Sequence, residues 1–91
     1  MVASEVKDIT SDTLVLPSNA RDIMIEVDLG GRSDWKLQHS FDGTTFFDKT
    51  SASSSGGLID IDGSVLQHVK IVFTGGSGST ETAKIYFGRS K

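Results

Sequence analysis

The chain has 91 residues, 36% hydrophobic and 23% charged, with a formal net charge of −3 and no cysteine. That length allows one domain with a thin core, because so short a chain hides only about 60–65% of its unfolded surface. Without cysteine there is no disulfide framework, thiolate zinc site or cysteine nucleophile. The acidic balance argues against nucleic-acid binding, which needs clustered Lys and Arg.

The first residues, Met1-Val2-Ala3-Ser4-Glu5-Val6-Lys7-Asp8, have no basic stretch and no apolar stretch, so they do not read as a signal peptide. Apolar runs such as Leu14-Val15-Leu16 and Ile71-Val72-Phe73 stop at three residues. A spanning helix needs about 20, so no membrane segment is expected. The chain is expected to be made and folded in a cytoplasm. Residues 1–12 mix charge with Val2, Val6 and Ile9. They read as a frayed end, an edge strand or an arm that docks on a neighbouring subunit. Residues 13–91 form the domain proper.

Within that domain the hydrophobic period is two. A short strand is expected at Thr13–Leu16. Ile23, Ile25, Val27 and Leu29 then alternate with Met24, Glu26 and Asp28. Gly30-Gly31 ends that run. Trp35, Leu37, His39 and Phe41 alternate with Lys36, Gln38 and Ser40, and Asp42-Gly43 follows. Asp-Gly between alternating runs predicts a type I′ hairpin turn leading into a strand over Thr44–Asp48. Ser51–Gly57 is a low-complexity loop, either a connector between sheets or a contact loop that orders on binding. A short strand is expected at Leu58–Ile61. Val69, Ile71 and Phe73 alternate, as do Ala83, Ile85 and Phe87, and Gly75–Ser79 reads as the tip of a hairpin between them. The expectation is an all-β fold, a single small antiparallel β-sandwich of six to eight strands, jelly-roll or Ig-like. The expected core is Leu14, Leu16, Ile23, Ile25, Val27, Leu29, Trp35, Leu37, Phe41, Phe46, Ile59, Ile61, Val69, Ile71, Phe73, Ile85 and Phe87.

Motifs for chemistry are thin. Asp60-Ile61-Asp62-Gly63 resembles part of a calcium loop, but an EF-hand alignment puts Leu58 and Val69 where oxygen ligands are required. His39 and His68 lack metal-site spacing, and His39 falls in the inward phase beside Trp35 and Leu37. There is no G-x-S-x-G elbow, and no Lys or helix follows Gly75–Ser79 to make a phosphate loop. No enzymatic activity, cofactor or metal is expected. Phe46-Phe47 must face opposite ways on a strand, so one of the two reads as an exposed aromatic anchor. Tyr86 and Val72 share the outward phase of the last two strands. The candidate interface residues are therefore Val2, Val6, Ile9, Phe46 and Phe47.

The stretch from Trp35 to Asp48 resembles the W-x-x-x-x-S-x-D-G-x-x-F hairpin of small β-sandwich virion proteins of tailed bacteriophages. Val69–Phe73 followed by Ala83–Phe87 is similar to the closing hairpin of such modules. The resemblance covers about half the chain. A free-standing chain of this size most resembles a capsid decoration, or cement, protein. The resemblance implies a non-enzymatic protein on the capsid surface of a virion. It also implies the major capsid protein as partner and a homo-oligomer, with a trimer favoured. It carries over no functional residues. Ser-x-Asp-Gly hairpins also occur in carbohydrate- and receptor-binding modules of phage tails and adhesion apparatus, which makes a small binding module the alternative.

Overall fold

The computed structural model describes residues 5–10, 13–63, 65–77 and 80–90. They form eight strands: β1 (Glu5–Asp8), β2 (Leu14–Val15), β3 (Ala20–Asp28), β4 (Asp34–Ser40), β5 (Phe47–Asp48), β6 (Gly57–Asp60), β7 (His68–Thr74) and β8 (Thr82–Arg89). Two four-stranded antiparallel sheets result, with orders β1-β8-β3-β6 and β2-β7-β4-β5. The fold is the expected all-β sandwich. Its pairing is nested: β1 with β8, β2 with β7, β3 with β6 and β4 with β5. One long hairpin is thus rolled up, and β8 also pairs with β3 and β7 with β4. This is the jelly-roll arrangement of the two sandwiches anticipated.

The nesting sorts the connections by end. Among the described residues, 9–10, 29–33, 49–56, 75–77 and 80–81 lie at one end, and 16–19, 41–46, 61–63 and 65–67 at the other. At the first end Gly76 has a φ of +64°, and a Cβ there would lie 2.3 Å from the Gly31 carbonyl oxygen, so two crossings touch through backbone. Since β7 and β8 lie in different sheets, the chain between them is not a hairpin tip, and Gly78 and Ser79 of that expected tip lie outside the described residues. Val72 and Tyr86, which share the outward phase, therefore lie on opposite sheets. The serine-rich stretch 51–57 also crosses, from β5 to β6. Ser53 pairs with Trp35 there, and the Ser55 carbonyl accepts the Trp35 indole N–H at 2.8 Å.

The core follows the period-two pattern. Ile23, Ile25, Val27, Ala83, Ile85 and Phe87 from one sheet meet Trp35, Leu37, Val69 and Ile71 from the other. Ile9, Leu16 and Ile61, each just beyond a strand end, complete it. Leu14, Leu29, Ile59 and Phe73 are half-buried against it. Phe41 and Phe46 are corrections to the expected core: Phe41 is exposed and Phe46 half-buried.

Residues 5–10 are an edge strand and its exit. β1 pairs with β8, the Arg89 guanidinium bonds both carboxylate oxygens of Glu5, and the Ile9 N–H donates to the Ala83 carbonyl at 2.9 Å. Ile9 is only 1% exposed. Burying its side chain in the chain's own core removes it from the set of surface residues.

Candidate functional site

The loop following β4 is built by two side chains. Ser40, fully buried, accepts from the N–H groups of Asp42 and Gly43 at 3.2 and 3.0 Å, and its hydroxyl donates to the Asp42 carboxylate at 2.9 Å. The same Asp42 oxygen accepts from the Thr44 and Thr45 N–H groups at 2.8 and 3.0 Å. Those donors, Thr45 first, then Thr44 and the Ser40 hydroxyl, hold the Asp42 carboxyl down at about 2. Ser and Asp compete here with the sheet ladder for backbone donors and close a loop instead. The expected two-residue type I′ turn is therefore replaced by a six-residue loop over 41–46, and the strand after it shrinks to Phe47–Asp48. Gly43 has a φ of +77°, and a Cβ there would lie 2.9 Å from His68 Nδ1, so a side chain at this position is strained and displaces His68.

This loop projects Phe41. Its phase is that of Trp35 and Leu37, but β4 has ended and no facing strand remains to cover it, so it is 77% exposed. It borders a groove of about 310 Å³ between the three connections at that end, lined chiefly by Leu16, Pro17, Ala20, Ile23, Val65 and Leu66. On the far wall the Gln67 carbonyl accepts from the Leu16 N–H at 2.7 Å and the Leu66 N–H donates to His39 Nδ1 at 3.1 Å. Burial, and after it the charge of Lys49, holds the His39 imidazole below its ordinary range, which keeps that nitrogen free to accept.

The five interface candidates do not come together. Val2 lies outside the described residues. Val6 is 49% exposed on the outer face of the β1-β8-β3-β6 sheet, opposite Tyr86. Ile9 is in the core. Phe46 lies under the Lys70 ammonium, 4.2 Å from its ring centroid, on the other sheet. Phe47 is 57% exposed on the edge strand β5, opposite His39. Sequence reasoning missed Phe41, Val15 and Leu58, which are also exposed. The available signal for Phe41 was its place directly before Asp-Gly, where a strand gives way to a loop.

Asp60 and Asp62 are both exposed. Among the described residues no group of three or more His, Asp or Glu is placed to hold a metal. No family model, curated protein or solved structure matches the chain. A second, larger groove of about 630 Å³ lies along β3 and β6 at the opposite end. It is lined by Glu26, Asp28, Thr82, Lys84, Leu58 and the Gly56-Gly57 backbone, among others. The two ends thus differ in chemistry, one apolar and aromatic, the other polar and charged.

Proposed function

We propose that this chain is a non-enzymatic structural protein of a tailed-phage virion, a capsid decoration protein that binds the outer shell and strengthens contacts between major capsid proteins. The observation that carries the reading is the double role of Trp35–Phe46. The stretch that resembles phage virion modules is also the stretch that builds the apolar loop end. Trp35 anchors it in the core, Ser40 and Asp42 lock the loop, and Phe41 is held outward beside an apolar groove. An exposed aromatic beside an apolar groove is the kind of anchor that dominates binding energy at protein interfaces. A protein that binds the closed shell and not the loosened one stabilises the closed shell by mass action. Several such contacts in one homo-oligomer, a trimer being favoured, add through effective concentration.

Copy number in purified particles tests this, measured by quantitative mass spectrometry against the major capsid protein. Hundreds of copies per particle are expected. A few dozen or fewer would move the protein to the tail or a vertex, and absence would remove it from the virion. The second reading, a small carbohydrate- or receptor-binding module, is favoured by the polar groove beside Glu26, Asp28 and Lys84. Millimolar or tighter binding to any glycan, lost in Glu26→Ala, would establish that reading in place of the first.

A further inference from the structure

The β1-β8-β3-β6 sheet ends in two four-residue strands with no neighbouring strand on their outer sides among the described residues. The edges of the other sheet are shorter, two residues each, and β2 is followed closely by Pro17. Short strands and proline blunt an edge against pairing. β6, Gly-Leu-Ile-Asp, carries neither lysine nor proline.

The ladder fixes which backbone groups are free. The Ile61 N–H donates to the Ile23 carbonyl, so in the alternation of an antiparallel pair Ile59 and Gly57 also turn their polar groups to β3. Leu58 and Asp60 turn theirs outward. At the other edge the Ile9 N–H donates to Ala83, so Lys7 and Glu5 face β8 and Val6 and Asp8 turn outward. Each edge thus presents an open ladder. Each also has one strongly exposed apolar side chain on the sheet's outer face: Leu58, 61% exposed, on β6, and Val6 on β1. They lie opposite Glu26 and Tyr86, which share that outer face.

Four strands that alternate in direction leave β1 and β6 antiparallel to each other. Copies related by rotation about an axis along the strands therefore meet β6 to β1 in antiparallel fashion with outer faces continuous. We propose that β6 of one copy pairs with β1 of the next, joining the sheets edge to edge in a closed ring. The proposal rests on the homo-oligomer part of the reading above and not on the capsid. The register that sets Leu58 against Val6 of the next copy places two apolar side chains side by side. It also brings Asp8 of that copy to Gly56 and Lys7 to Gly57, at which an added Cβ would meet nothing within 4 Å. A shift of two residues would instead set Leu58 against Asp8 and bring Asp8 diagonally near Asp60, which like charge disfavours. Such a join is head-to-tail, and head-to-tail joins give rings when the rotation closes.

The test is the mass of the full chain by light scattering and sedimentation, with amide exchange read by NMR. A discrete multiple of 9.7 kDa is expected, with slow exchange at the Val6 and Leu58 amides. Leu58→Pro removes an N–H that points outward and not to β3, together with the exposed apolar side chain, and Val6→Lys puts a charge on the join. Both are expected to give folded monomers, checked by circular dichroism, in which the remaining edge amides exchange fast. A monomeric wild type overturns the proposal. So does an oligomer that both folded variants leave intact, or one in which the Val6 and Leu58 amides exchange freely. Mass that grows without limit overturns closure. Each result is read without any shell present, so it is separate from the outcome of particle copy number.

Discussion

Trp35 and Phe41 sit on one side of the same run of sequence, six residues apart, and meet opposite fates. Trp35 faces Phe73 across the ladder, is closed over by the Ser53–Ser55 crossing and is buried. Phe41 has the same phase, but the ladder stops at Ser40 and the chain turns to satisfy Ser40 and Asp42 instead. Phase decides which face a side chain takes, and the length of the facing strand decides whether that face is covered. One end of β4 is a packed core, and the other is a surface.

The largest effect expected from breaking this contrast is at the buried end. Trp35→Ala should cost about 3–5 kcal/mol of stability, through the cavity and the lost bond to Ser55, read from urea unfolding midpoints. Ser40→Ala strikes the hinge between the two regions. It leaves the part-buried N–H groups of Asp42 and Gly43 without their acceptor and should cost about 1 kcal/mol by the same measurement. It should also raise the Asp42 carboxyl toward the ordinary aspartate range, as its hydroxyl donor is lost.

Acid should loosen the loop end before the core. His39 titrates lower folded than unfolded, so its contribution is complete above the free imidazole value, about 6.5. That contribution is lost as pH falls through the folded value. The Leu66 amide, which loses its acceptor, should then exchange faster while the Ile25 and Leu37 amides stay protected. Asp42 follows the same sign at lower pH. Its carboxylate supports the loop above the ordinary aspartate range and fails as pH approaches 2, which an NMR titration of that carboxyl would follow. The smallest effect on stability should come from Phe41→Ala, within about 0.5 kcal/mol, because the ring is already in water. In the proposed role the same change should weaken attachment to shells sharply. A large loss of stability from it would mean that the ring is covered in solution.

Much of the fold was legible because alternation is a local property. The runs at Ile23–Leu29, Trp35–Phe41, Val69–Phe73 and Ala83–Phe87 each announced a strand and its inner face. The site was less legible. Of the pair Phe46-Phe47, in which one exposed aromatic was expected, Phe47 is exposed, and a serine-aspartate loop in place of a tight turn exposes Phe41 as well. Ile9 read as an interface candidate because one apolar side chain among charges has no period of its own. Whether it is buried depends on β8, some 75 residues away.

The sequence by itself determined the four long strands, their inward faces and most of the single thin core, since period-two patterning and glycine punctuation act within a few residues. Only the tertiary structure decided the nesting of β1 with β8, the jelly-roll order, the placing of β7 and β8 in different sheets and the exposure of Phe41 and Leu58. Those depend on which strands meet across long loops. The free energy of such meetings is set by the packing of both sheets together, not by any one segment.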